Sequence, residues 1–281
     1  MKLIADSGAT KTLWYSLQNT TTTAYQTLGC HPYYWTTAEL LKSLKKELLP
    51  QLPTEAVETL YFYGAGCSQT APKAIVQRAL QELFPQARVE VESDLLAAAR
   101  ATAQQQAGIC CILGTGAASL QYDGQQLIDQ VPSLGYLLGD EGSGADLGRQ
   151  LLRSYYYTKM PVGLKKAFEQ QFDLDKYQVI QSLQQAAQPS RHLAQYTQFA
   201  VEQASHPFIQ SLIKTRFELF LENQVQPYAQ VEEQPIHFVG SVAHGFQDLL
   251  KEALQERGWT MGKVLKNPFP ALLDYYNKEI K

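Results

Sequence analysis

The chain opens MKLIADSGATKTLWYSLQ, where a short apolar run meets Asp6, a turn at Gly8, the hydroxyl of Thr10 and the ammonium of Lys11 before the apolar pattern resumes. Glycine lets the chain turn tightly, so that backbone amides and Thr10 can face an anion. Asp6 would repel a phosphate unless a cation intervened. It therefore makes sense as a partner of Mg²⁺, through water because Mg²⁺ dehydrates reluctantly, while Lys11 offsets phosphate charge. Read alone, Asp-Ser-Gly is also an ordinary turn. A second small-residue turn, Gly114-Thr115-Gly116, follows the apolar run GICCIL and holds no carboxylate. Two such turns could grip the β- and γ-phosphates of a nucleotide without a Walker loop, whose Gly-Lys pair is missing at Lys11-Thr12.

Three further segments carry chemistry. Asp94 follows the strand-like ARVEVES and opens a helix that Ser93 can cap. The helix dipole favours its ionised form, which can take a proton from a hydroxyl, and such assistance is worth about 10²- to 10⁴-fold. A first-turn aspartate that only stabilises its helix is the simpler account of that residue by itself. LGYLLGDEGSGADLG sets Asp140 and Glu141 among Gly135, Gly139, Gly142, Gly144 and Gly148, a density that suits close approach to a ligand. Those carboxylates could accept from sugar hydroxyls, help hold hydrated Mg²⁺, or acidify a helix start. Gly240-Ser241-Val242-Ala243 follows PIHFV and begins a helix, either as a plain cap or as a wall for adenosine or phosphate. The five histidines have no metal-ligand spacing, and Tyr33-Tyr34-Trp35 can line a sugar pocket or pack in the core.

The elements that must position these residues come in a repeated order. Three strand-like segments, a helix Thr36 and Thr37 can cap, a strand at VETLYFYGAG, a helix, the strand ARVEVES and a helix are followed by a restart at GICCILG. The hairpin SLQYDGQQLIDQ turns at Asp123-Gly124, and a long amphipathic helical region punctuated by Pro161, Pro189 and Pro207 intervenes. PIHFVG, one helix over 241–258, WTMGKVL and a closing helix complete the second round. The expectation is an α/β chain of two copies of one unit, residues 1–106 and 107–281, with a helical insertion at about 142–228 of the second and a ligand cleft between the copies.

Composition sets outer limits. With 281 residues, 45% hydrophobic and 18% charged residues and a net charge of −3, the chain offers no basic stripe for nucleic acid or an anionic membrane. No apolar stretch reaches the roughly 20 residues that cross a bilayer, and no cationic leader precedes the first strand, so the expected location is the cytoplasm. Cys30, Cys67, Cys110 and Cys111 lack CxxC spacing and read as reduced, buried thiols.

Taken in order, DSGATKT, ESD, ILGTGAAS, LGDEGSGADLG and FVGSVA resemble the N-acetylglucosamine kinase and BadF/BadG/BcrA/BcrD ATPase family, of the actin-like, sugar-kinase superfamily, over nearly the whole chain. The resemblance implies duplicated ribonuclease H-like domains binding Mg²⁺-ATP, a small-molecule sugar substrate, and allows a homodimer. It makes Asp6, Gly8, Thr10 and Lys11 the first phosphate loop, Gly114, Thr115 and Gly116 the second, and Asp94 the catalytic base. It makes Asp140 a sugar-hydroxyl ligand, Gly135 part of the sugar-facing loop, and Gly240 with Ser241 part of the adenosine motif. Where family members often show Gly-x-Asn-Pro, this chain has Gly29-Cys30-His31-Pro32, which puts His31 in the place of a sugar-facing asparagine. Tyr136 replaces the tryptophan that the mammalian-type enzymes tend to have. Two alternatives share these motifs. One is an ATPase that activates a reductase or dehydratase through a shared iron–sulfur cluster, which the cysteine placement disfavours. The other is a sugar sensor without turnover.

Overall fold

The computed structural model describes residues 1–8, 11–18, 21–33, 35–53 and 56–278. Its strands form two five-stranded sheets. The first holds β1 (Lys2–Ser7), β2 (Lys11–Gln18), β3 (Thr21–Leu28), β4 (Thr59–Gly64) and β5 (Arg88–Ser93) in the order β3-β2-β1-β4-β5. The second holds β6 (Gly108–Leu113), β7 (Ala117–Tyr122), β8 (Leu127–Asp129), β9 (Ile236–Val239) and β10 (Met261–Leu265) in the order β10-β9-β6-β7-β8. Each sheet begins with an antiparallel meander and continues with two parallel strands beside its first strand. The order and directions are the same twice, so the fold is a duplicated ribonuclease H-like unit of the actin-like ATPase type.

The chain divides into two compact units, residues 1–97 with 272–281, and residues 98–271. The pattern reading puts the divide at 106/107; the compact division falls inside the helices Asp94–Thr102 and Phe269–Lys278. The end of the second helix belongs to the first unit, where Tyr276 stacks on Tyr61 with ring centroids 4.1 Å apart and shares a hydroxyl hydrogen bond with Tyr63.

Local chemistry explains the elements of the first unit. The helix Thr37–Glu47 starts at a reciprocal cap, in which the Thr36 hydroxyl accepts from the Glu39 amide and the Glu39 carboxylate accepts from the Thr36 amide. It buries Leu40, Leu41 and Leu44. β1 is central, so Leu3, Ile4 and Ala5 are fully buried on both faces, whereas the Thr-rich β3 is an exposed edge. In the second unit, helices fill the stretch between β8 and β9, with Pro161 capping one and Pro189 and Pro207 in the first turns of two others. They supply Phe168, Phe199, Phe217 and Phe220 to the core, each burial contributing about 1.5–3 kcal/mol.

One expected element is broken. In place of a single helix over 241–258 there are two, Ser241–Gly245 and Gln247–Glu256. Phe246 between them leaves helical geometry at φ −126° and ψ 32° and is buried in the core, just after Gly245, a weak helix former. All four cysteines are free and buried, and burial pushes the Cys110 thiol up to about 12. Among the described residues no helix is long and apolar enough to cross a membrane.

Candidate functional site

In the first unit the parallel strands end level with one another, Ser7 beside Gly64 and Gly64 beside Ser93. The carboxyl ends of parallel strands are where open α/β sheets bind ligands. Asp6 lies one residue before that edge and Asp94 one residue after it, at the start of its helix. The Ser93 hydroxyl accepts from the Leu96 amide at 3.2 Å and so caps the helix, while Asp94 Oδ1 accepts from the Leu95 amide at 2.9 Å. Burial pushes the Asp94 carboxyl above its ordinary range, against the pull of the Leu95 amide and its own. Burial first, and then the charge of Asp94, push Asp6 up to about 6, with the exposed Lys11 ammonium pulling the other way. Two buried carboxyls, one raised further by the charge of the other, form a place where a cation can take the proton's part. The donor set is hard oxygen, and no group of three or more His, Cys, Asp or Glu is gathered among the described residues, so a Mg²⁺ ion there would keep much of its water. The Gly8 amide closes the turn by donating to the Lys11 carbonyl at 3.0 Å; Thr10 lies outside the described residues.

A cluster that the motifs did not single out stands beside this edge. The hydroxyls of Ser7 and Thr12, opposite each other on β1 and β2, lie 2.8 Å apart, and the Cys30 amide donates to both. They fix the bend that delivers His31. The His31 ring lies over Gly66, whose φ is +81° and where a Cβ would sit 2.9 Å from the imidazole Cε1. Burial lowers the affinity of His31 for a second proton. Its Nδ1 accepts from the Tyr33 amide at 3.4 Å, which leaves the proton of the neutral ring on Nε2. Trp35 turns its Nε1 to the Gly29 carbonyl and packs on the core, Tyr33 is exposed, and Tyr34 lies outside the described residues.

In the second unit the motifs converge. The turn after β6 is pinned by the start of the helix Gly144–Tyr156: the Gly144 amide donates to the Gly114 carbonyl at 2.7 Å and the Ala145 amide to the Thr115 carbonyl at 3.0 Å. Gly240 is packed on the same turn. A Cβ there would lie 2.2 Å from the Leu113 carbonyl oxygen, and φ is +128°, so only glycine fits. Gly114, Thr115, Gly144, Ser241 and Val242 wall one side of a cleft of about 350 Å³. The other side comes from the helical insertion, with Arg191, Gln195 and Gln198, residues for which the sequence has no motif. Asp140 is brought to this turn as well. Its Oδ1 accepts from the Ala117 amide at 3.1 Å, and its Oδ2 stands 3.0 Å from where a Cβ on Gly116 would be. Burial first raises the Asp140 carboxyl, which stands on a backbone at φ +59°, a strained position for a residue other than glycine. Gly135 has open space around it and a φ of +68°, so glycine serves the backbone there.

No family model and no curated protein matches the chain. Among solved structures, a Porphyromonas gingivalis protein provisionally named an N-acetylglucosamine kinase is 38% identical, with all of both chains covered and a TM-score of 0.92. The chain belongs to this N-acetylglucosamine kinase family. A Chromobacterium violaceum protein with the same provisional name matches over 98% of each chain at 17% identity and a TM-score of 0.72. A ROK family glucokinase from Streptomyces griseus, in complex with glucose and AMPPNP, covers 99% of this chain and 98% of its own at 13% identity and a TM-score of 0.55. The last two share the fold. Within the N-acetylglucosamine kinase family member described here, the loop from Gly135 to Gly142 is tied down by Asp146. Burial would raise that carboxyl, but Arg216 at 2.6 Å, the Gly142 amide and Gln150 outweigh it and hold Asp146 low. Arg149 pairs with Asp146 at 2.9 Å and donates to the Tyr136 carbonyl at 2.7 Å. The glycine-rich loop therefore hangs from a buried ion cluster that the sequence shows only as part of ADLGR.

Proposed function

We propose that the chain is an ATP-dependent sugar kinase acting on N-acetylglucosamine or a related amino sugar. The observation that carries this reading is the proximity of Asp6 and Asp94 at the strand ends of the first unit, each raised by burial and Asp6 further by Asp94. A buried carboxyl with a raised proton affinity is a good acceptor for the proton of a sugar hydroxyl while that oxygen attacks the γ-phosphorus and ADP leaves. Asp94 has that role, and His31 serves the sugar. Asp6 holds hydrated Mg²⁺, which when bound neutralises phosphate charge. Gly114, Thr115 and Gly116 take the phosphates of ATP, and Gly240 and Ser241 the adenosine side. Asp140, with one amide contact and acceptor capacity to spare, and Gly135 serve the sugar. The four buried thiols leave no ready exposed pair for a shared iron–sulfur cluster, which weighs against the activator alternative.

The test is phosphoryl transfer. Purified protein with Mg²⁺-ATP is expected to release ADP in proportion to added N-acetylglucosamine, glucosamine or a muramic-type sugar. If neither these nor simple hexoses are phosphorylated or bound, the reading is rejected. We place the protein in the cytoplasm as a homodimer, with the exposed Leu137 and Leu138 as the contact; light scattering that gives a monomer at micromolar concentration rejects the dimer.

A further inference from the structure

An apolar cavity of the second unit is lined by none of the residues to which the kinase reading gives a role, with Tyr136, next to Gly135 of the glycine-rich loop, at one edge. It measures about 580 Å³, within the range of small-molecule sites, and is framed by helices of the insertion. Leu152, Val179, Ile180, Leu183 and Leu193 form its floor and walls, and Tyr156 and Tyr157 add aromatic surface. Three cations, Arg149, Arg153 and Lys176, also line it, and among the described residues no carboxylate does. Arg149 is engaged by Asp146 and the Tyr136 carbonyl. Arg153 and Lys176 are exposed and make no ion pair among the described residues.

The short helix Pro189–Ala194 separates this cavity from the nucleotide cleft, giving Pro189 and Leu193 to the one and Arg191 and Ala194 to the other. That helix is seated on Gly148, where a Cβ would fall 1.9 Å from the Leu193 carbonyl oxygen. The two spaces are thus distinct, with a fixed wall between them.

From the apolar walls and the two cations that no carboxylate engages among the described residues, we infer that this cavity binds an amphipathic small-molecule anion, an aliphatic or aromatic body bearing one carboxylate or sulfonate. Burial of the body supplies the affinity. Arg153 and Lys176 supply the preference for a negative head group. A neutral ligand of the same shape would gain nothing from either charge.

The experiment uses the whole chain with two probes of this class, 1-anilinonaphthalene-8-sulfonate and decanoate, and decanol as the neutral control. The fluorescent sulfonate is expected to bind one site, and decanoate to displace it at concentrations about tenfold below those needed for decanol. Reversing the exposed cations, R153E with K176E, should weaken sulfonate binding by about tenfold or more. Ile180→Glu, at a residue already 46% exposed, should weaken it similarly by spoiling the apolar wall, with circular dichroism verifying the fold of both variants. Wild-type affinity in both variants overturns the site. Loss in Ile180→Glu with no change in the charge-reversed variant, or equal displacement by decanol and decanoate, overturns the anion preference.

Discussion

The first unit sets carboxylates where the second sets glycines. β1 runs into Asp6, with Asp94 just past the end of β5, whereas β6, the counterpart of β1, runs into Gly114-Thr115-Gly116 and borrows its carboxylate, Asp140, from a later loop. The strand order is the same, so the difference lies in what the turns carry. Carboxylates at a phosphate site need a cation to be tolerated, while a glycine turn offers its backbone with no charge to offset. A duplicated scaffold can in this way give metal and proton chemistry to one copy and nucleotide grip to the other.

The sharpest break of that comparison is at glycine. Gly240→Ala puts a methyl group into the Leu113 carbonyl and strains a φ of +128°, and strain and overpacking cost about 1–3 kcal/mol each. Chemical denaturation should show a loss of that order with a collapse of AMPPNP affinity. Gly8→Ala has 3.8 Å to its nearest contact and should cost less than about 1 kcal/mol. Equal losses at the two sites would remove the distinction between a turn glycine needed for packing and one that is not.

Asp6→Asn tests the carboxylate side. The Mg²⁺ concentration for half-maximal activity should rise by about tenfold or more. Because Asp6 titrates at about 6, the wild-type requirement for Mg²⁺ should also grow as pH falls from 7.5 to 5.5, and Asp6→Asn should flatten that dependence. Its effect on stability has the opposite sense. A carboxyl raised in the folded state holds its proton there at pH values where the unfolded chain has lost it, so its contribution falls as pH rises from about 4 through 6. Asp6→Asn should therefore be more stable than wild type above pH 6, and an unchanged or lower stability there would contradict the account of a destabilised carboxylate. The smallest effect belongs to Thr12→Val, which removes the hydroxyl shared with Ser7 and the Cys30 amide. It should cost about 1 kcal/mol and raise the KM for sugar with little change in the KM for ATP, since the bend it holds leads to His31.

Much of this was readable in the sequence because local chemistry decided it. Strand alternation in β2, the Thr36–Glu39 cap and the glycine turns are short-range signals, and the repeated element order exposed the duplication. What was not readable depends on long-range packing. Arg191, Gln195 and Gln198 reach the cleft beside the Gly114 turn only because the insertion folds back on Gly144 and Gly148. Asp140 reads in the sequence as a ligand of sugar hydroxyls or hydrated Mg²⁺ or as an acidic helix start, and nothing in GDEGS shows that its carboxylate meets the Ala117 amide. The break at Phe246 likewise follows from where the core takes a ring, in a segment whose pattern is helical throughout.

The central claim is that Asp94 moves the proton and does not hold the nucleotide. Asp94→Asn keeps the size of the side chain and the helix start but removes the acceptor, so its kcat with the sugar that the wild type phosphorylates should fall by about 10²-fold or more. AMPPNP affinity, measured by calorimetry on the same preparation, should stay within about threefold of wild type. Turnover near the wild-type value, or a loss of nucleotide affinity as large as the loss of turnover, would contradict the account.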